Sequence, residues 1–93
     1  MDFSISIILN QGVDNRGFTQ EQVVSEIFAN HGVEQRVRSI TGPSGLPGAV
    51  DHDRSLNFQF TVADINLRND IENDLRNHGM IIDIRPLPHI TRR

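Results

Sequence analysis

The sequence predicts an α+β sandwich built in the order strand–helix–strand twice, βαββαβ. Three observations carry this: four strand-like runs, of which the first and third alternate apolar and polar residues with period two, two segments with helix punctuation at both ends, and a weak internal repeat. In the repeat, Asn30-His31-Gly32-Val33 and Val37-Arg38-Ser39-Ile40 match Asn77-His78-Gly79-Met80 and Ile84-Arg85-Pro86-Leu87 at an offset of 47 positions.

Each element is justified by its own residues. Phe3, Ile5, Ile7 and Leu9 alternate with Ser4, Ser6 and Ile8, as a half-buried strand does. A Gly-containing loop from Asn10 to Gly17 follows. Thr19-Gln20-Glu21-Gln22 is a capping box, and Phe18 and Val23 are placed to form the hydrophobic staple. The helix carries the apolar stripe Val23, Val24, Ile27 and Phe28 and ends at Asn30-His31-Gly32. Val33 to Ile40 reads as a second strand, with Val33, Gln35, Val37 and Ser39 on one face and Glu34, Arg36, Arg38 and Ile40 on the other. Thr41 to Arg54 is a fourteen-residue loop of turn chemistry, Gly42-Pro43-Ser44-Gly45 and Leu46-Pro47-Gly48. Leu56 to Val62 is the clearest strand. Asp64 can cap a second helix with Leu67, Ile71 and Leu75 on one stripe and Glu72–Arg76 as an i, i+4 pair. Met80 to Arg85 is the last strand, stopped by Pro86 and Pro88.

This order is the split-βαβ or ferredoxin-like arrangement. Right-handed crossovers put one strand of each half between the two strands of the other, so the expected sheet is antiparallel in the order 4-1-3-2, with both helices on one face. A single domain over 1–93 is expected, with a long loop at 41–54 and a short C-terminal tail at 86–93. Ile, Leu, Val and Phe make 29 of the 93 residues, above the range in which chains stay disordered, and so short a chain has no room for a large buried pocket. No apolar run approaches a membrane span and the first residues lack a signal-peptide pattern, so a soluble, cytoplasmic domain is expected.

Composition narrows the function classes. Nine Arg against twelve Asp and Glu give a net charge of −3, which provides no electrostatic footprint for nucleic acid. Without Cys there is no thiolate nucleophile, thiolate metal site or disulfide. Lys is absent and only three Ala occur. Compositional drift, an engineered or designed origin without biological function, and selection against lysine modification all account for that. Against design, the loops at 10–17 and 41–54 are neither short nor idealised.

No nucleophile–base spacing, H-E-x-x-H motif or phosphate-cradling Gly loop is present, so no catalytic, cofactor-binding or metal-ligating residue is assigned. Gln11-Gly12-Val13 matches a fragment of the acylphosphatase loop, but the Phe-Arg pair required next is replaced by Asp14-Asn15-Arg16-Gly17. The two Asn-His-Gly triplets read as Schellman helix ends, packing Val33 on Phe28 and Met80 on Leu75. A metal shared by His31 and His78 is disfavoured because antiparallel helices would hold their C-termini roughly 15–20 Å apart. Asp51-His52-Asp53 reads as a solvated hairpin tip and His89 as a surface residue.

The sheet face away from the helices is expected to carry Ser4, Ser6, Ile8, Arg36, Arg38, Ile40, Asn57, Gln59, Thr61, Ile81, Asp83 and Arg85. Base-stacking sheets expose aromatics on their first and third strands, whereas Phe3, Phe58 and Phe60 here have core parity. A protein partner or a second copy of the chain therefore fits better than RNA, and an ordinary solvated face accounts for the same residues equally well. The candidate surface is Ile8, Arg36, Arg38, Asn57, Gln59, Ile81 and Arg85, with Leu46 and Val50 of the long loop.

At Asp14-Asn15-Arg16-Gly17-Phe18 and His31-Gly32-Val33-Glu34 the chain resembles ACT regulatory domains. These place an acidic or amide residue and a Gly between first strand and first helix, then resume with a Gly and an apolar residue. The resemblance implies this fold, an amino-acid ligand at a dimer interface, and a candidate ligand loop of Asn10, Asp14 and Gly17. The extra Gln11-Gly12-Val13 departs from the pattern by lengthening the loop. Element lengths are also similar to those of the small ribosomal-subunit protein of ferredoxin-like fold, which binds RNA and a partner through basic and aromatic residues; this chain is acidic and lacks Tyr and Trp. The lead expectation is a non-catalytic interaction or oligomerisation module using the sheet face, the strand edges and the 41–54 loop. An ACT-like ligand sensor is the alternative.

Overall fold

The structure is a computed structural model that describes residues 1–9, 14–42 and 54–88. Its elements run β1 (Asp2–Leu9), α1 (Gln20–Asn30), β2 (Arg36–Thr41), β3 (Arg54–Thr61), α2 (Ile65–Asn77) and β4 (Ile82–Pro86). The sheet order is β2-β3-β1-β4 with every neighbouring pair antiparallel, which is the expected 4-1-3-2 order read from the other edge. The chain thus has the ferredoxin-like fold.

Local chemistry explains both helices. Thr19 Oγ1 accepts the Gln22 N–H at 3.3 Å while the Gln22 side chain accepts the Thr19 N–H at 2.9 Å, completing the capping box. Asp64 caps α2 by accepting the Leu67 N–H at 2.9 Å. Both C-terminal ends are Schellman motifs. Val33 and Met80 donate to the carbonyls of Phe28 and Leu75, and Gly32 and Gly79 donate to those of Ala29 and Arg76. The two glycines sit at φ +69° and +78°, where a Cβ would be strained even though open space surrounds it.

The core lies between the helices and one face of the sheet. Phe3, Ile5 and Ile7 of β1 meet Leu56, Phe58 and Phe60 of β3, and Val24, Phe28, Ile71 and Leu75 cover them. Phe28 stands edge-on to Phe58 and Phe60, with ring centroids 4.9 and 5.2 Å apart. Such pairs add about 0.5–1.5 kcal/mol beyond area burial. No helix among the described residues is long and apolar enough to cross a membrane.

The second strand differs from its expected form. β2 starts at Arg36 rather than Val33, and it pairs Arg36 with Gln59 but Ser39 with Asn57, so three steps on β2 match two on β3. The extra residue is a β-bulge at Val37–Arg38, with Val37 at φ +51°. Beyond the bulge the facing parity inverts. Ile40 packs against the core and Arg38 reaches Glu21 of α1, so neither lies on the open face where simple alternation placed it. β3 begins at Arg54 rather than Leu56, and β4 runs through Pro86, beyond which the Leu87 N–H still bonds to the Asp2 carbonyl at 2.9 Å.

Candidate functional site

Strand register builds the open face in rows across the sheet. One row runs Arg36–Gln59–Ser4–Arg85, and the next runs Ser39–Asn57–Ser6–Asp83. Side chains tie these rows into a polar network. Ser6 and Ser55 donate to Asn57 Oδ1 at 2.8 and 3.2 Å, and Asn57 Nδ2 donates to Thr41 Oγ1 at 3.0 Å. At one corner Arg36 donates to Thr61 Oγ1 at 2.6 Å, and the Thr61 hydroxyl donates to Asp2 Oδ1 at 2.5 Å. At the opposite edge Arg85 Nε donates to Asp83 Oδ2 at 2.9 Å.

The expected surface residues fall into three groups. Arg36, Asn57, Gln59 and Arg85 lie on the open face, with the Arg85 side chain 79% exposed. Ile8 has open-face parity but is only 1% exposed, and its row partner Ser55 is 6% exposed. This end of the face is closed within the chain itself, so Ile8 is not a free contact; Ile81, whose carbonyl accepts the Ile8 N–H, is half-buried. Arg38 stands on the helix side because of the bulge. Leu46 and Val50 lie outside the described residues, as do Asn10, Asp51-His52-Asp53 and His89. Sequence reasoning missed the bulge, although Val37 and Ile40 stand three apart and cannot share one period-two face.

The described part of the candidate ligand loop, Asp14 to Phe18, is closed on itself. Asp14 Oδ1 accepts the backbone N–H groups of Arg16 and Phe18, both at 2.9 Å, and the Asp14 carbonyl accepts the Gly17 N–H at 3.0 Å. Arg16 spans Asp14 and Glu26, with Nη1 at 3.0 Å from Glu26 Oε1, and its guanidinium lies 4.6 Å over the Phe18 ring. The Phe18 N–H is the main cause holding the Asp14 carboxyl below its ordinary value, with the Arg16 backbone and charge adding to it. Hydrogen bonding to Glu26 holds the Arg16 guanidinium above its ordinary value. Both hydrogen-bonding faces of this carboxylate serve the turn that launches α1.

At the other end of α1, His31 Nε2 lies 2.6 Å from Asp74 Oδ2 in the last turn of α2, and the Asp74 carbonyl lies 2.8 Å from His78 Nδ1. The expected separation of 15–20 Å between helix C-termini is overturned. It assumed that the helices overlap along their length, whereas the last turns of both helices meet. Among the described residues no three His, Cys, Asp or Glu groups converge as a metal site.

No protein-family model and no curated protein matches the sequence. Among solved structures the chain is similar to formyltetrahydrofolate deformylase from Burkholderia mallei ATCC 23344, with a TM-score of 0.54 and 14% sequence identity. The match covers 90% of this chain but only 27% of that one. At this identity the likeness shows the fold alone.

Proposed function

We propose that the chain is a non-catalytic interaction module that associates with a second copy of itself through the open sheet face. One observation carries the reading: the order of residues across the strands makes this face complementary to itself. A two-fold axis lying in the interface, perpendicular to the strands and midway between the two polar rows, sets one row over the other. Arg85 then stands over the partner's Asp83 and Asp83 over the partner's Arg85. Gln59 faces the partner's Asn57, and Ser4 faces the partner's Ser6. Sheets stacked in this way lie about 10 Å apart, within reach of the Arg85–Asp83 and Gln59–Asn57 pairs.

The edges are poorer candidates than the face. β4 carries Pro86 and an exposed ion pair, and β2 is bulged between two arginines. The test is light scattering from about 5 to about 500 μM, a range that spans weak dimer constants. The wild type should rise in mean mass with concentration. Arg85→Asp should remain monomeric, and Asp83→Arg with Arg85→Asp, which restores the complementarity, should associate again. A wild type that stays monomeric throughout, or a double variant as weak as the single one, would overturn the reading.

A second reading is a regulatory, ligand-sensing module of ACT type. It is favoured by the shared fold and by the chain spanning little more than a quarter of the length of a folate-metabolising enzyme that it resembles. Asp14 argues against the expected ligand loop, since its carboxylate is already filled by Arg16 and Phe18. A rise in melting temperature with one amino acid in a panel of twenty would support this reading.

A further inference from the structure

The geometry points to the bulge at Val37 as a guard on the free edge of β2, which keeps a second copy from adding there as a fifth strand. β2 is an outer strand, exposed along its length except at Ile40. An edge of this kind offers unpaired N–H and C=O groups to any other strand. The opposite edge has its own obstacle in Pro86, which lacks an N–H. β2 has no proline, and the bulge stands in that place.

Two observations show that the fold does not need the extra residue. First, Val37 is 74% exposed and holds φ +51°, a conformation that a β-branched residue rarely adopts. The chain thus keeps a strained residue that packs against almost nothing. Second, removal of Val37 would leave the placements around it unchanged. Arg36 faces Thr61 and Asp2 on the open side, and Arg38 faces Glu21 on the helix side. Once Val37 is deleted these arginines become consecutive, and consecutive strand residues point to opposite faces. Ser39 then still meets Asn57 and Ile40 still meets Leu56. A straight β2 would satisfy every side chain that the bulged one satisfies, and what it would lose is the local kink that breaks the run of free backbone groups. Both arginines are ion-paired within the domain, so their mutual repulsion across a two-fold edge contact would be partly offset.

The test deletes Val37 in the Arg85→Asp background, where the proposed face contact is absent, so the two surfaces are read separately. The deletion variant should be folded by circular dichroism, melt higher than its parent, and move toward twice the parent's mean mass by about 500 μM. Val37→Gly in the same background relieves the strain but retains the extra residue. It should also melt higher, yet stay at the parent's mass. A deletion variant that folds with no gain in mass overturns the guard. A deletion variant that fails to fold overturns it as well, because the bulge would then be a requirement of the fold. Association of Val37→Gly equal to that of the deletion would also overturn it, by assigning the effect to strain rather than to the extra residue.

Discussion

The two edge strands, β2 and β4, follow the same three-residue turn and end as different structures. Each follows a Schellman turn made by Asn-His-Gly, and each carries an apolar–Arg pair at the corresponding place, Val37-Arg38 and Ile84-Arg85. Ile84 packs against the core and Arg85 lies on the open face. Val37 is 74% exposed and Arg38 lies on the helix side. The partner strand makes the difference. β4 lies beside β1 in uninterrupted register, whereas β2 must bring Ser39 opposite Asn57 and Ile40 opposite Leu56 and absorbs one residue to do so. A repeated motif therefore fixes how a helix ends, but the strand after it takes its facing from its neighbour.

If the edge strand β4 feeds the core and β2 is an outrigger, truncations should separate them. Ile82→Ala, at a position 8% exposed, is expected to cost about 2–4 kcal/mol, and Ile40→Ala, half-buried, less than half as much. Urea unfolding of both variants checks this, and equal losses would erase the distinction. The helix ends, by contrast, should behave as twins. Gly32→Ala and Gly79→Ala each force a Cβ into the left-handed region and should each cost about 1–2 kcal/mol. A gap between them larger than about 1 kcal/mol, the typical cost of a mid-range point mutation, would show that the two turns carry different loads.

The same contrast separates what could be read in the sequence from what could not. Thr19 with Gln22, Asp64, and the Gly-apolar pairs after each helix are local devices whose partners lie within a few residues, so the letters reveal them. The alternation of β1 and β3 is long enough to fix their inner faces, and the order of the sheet follows from chirality. The features that escaped depend on distant partners. The bulge exists because Ser39 pairs with Asn57, and the contact of His31 with Asp74 joins residues 43 apart in sequence. Ile8 was visible as an apolar residue on a polar face, but parity alone does not reveal whether the chain itself covers such a residue. Of the candidate site, the polar rows were legible as faces; their register, which carries the self-complementarity, was not.

Each half also holds a carboxylate whose charge is stabilised locally, and acid should find both. Burial alone would raise the Glu72 carboxyl, but hydrogen bonds and charge from Arg76 and Arg68 outweigh it and hold the group below its ordinary value. Asp14 is lowered in the first half by the Phe18 and Arg16 N–H groups. A carboxyl lowered on folding contributes stability that is present above its unfolded value, near pH 4, and lost as pH falls through the folded one. Melting temperature should therefore decline below about pH 4, and both Glu72→Gln and Asp14→Asn should flatten that decline. Glu72 should show the larger effect, since it bridges two arginines with its side chain 22% exposed. A decline unchanged in both variants would place the acid sensitivity elsewhere.

The smallest expected effect has the most telling sign. Asn tolerates positive φ several-fold better than a β-branched residue, and Val37 buries too little to lose much packing. Val37→Asn should therefore stabilise the protein, by about 0.5 kcal/mol, a fraction of the roughly 1–3 kcal/mol that a non-glycine residue in the left-handed region costs. The same change at the corresponding Ile84 removes an apolar side chain from the edge of the core and leaves an amide there, so it should destabilise. Opposite signs for one substitution at two matching positions would show that the strands diverge in facing and not merely in degree of exposure. Destabilisation at both would mean that Val37 packs as Ile84 does, and that the bulge does not persist in solution.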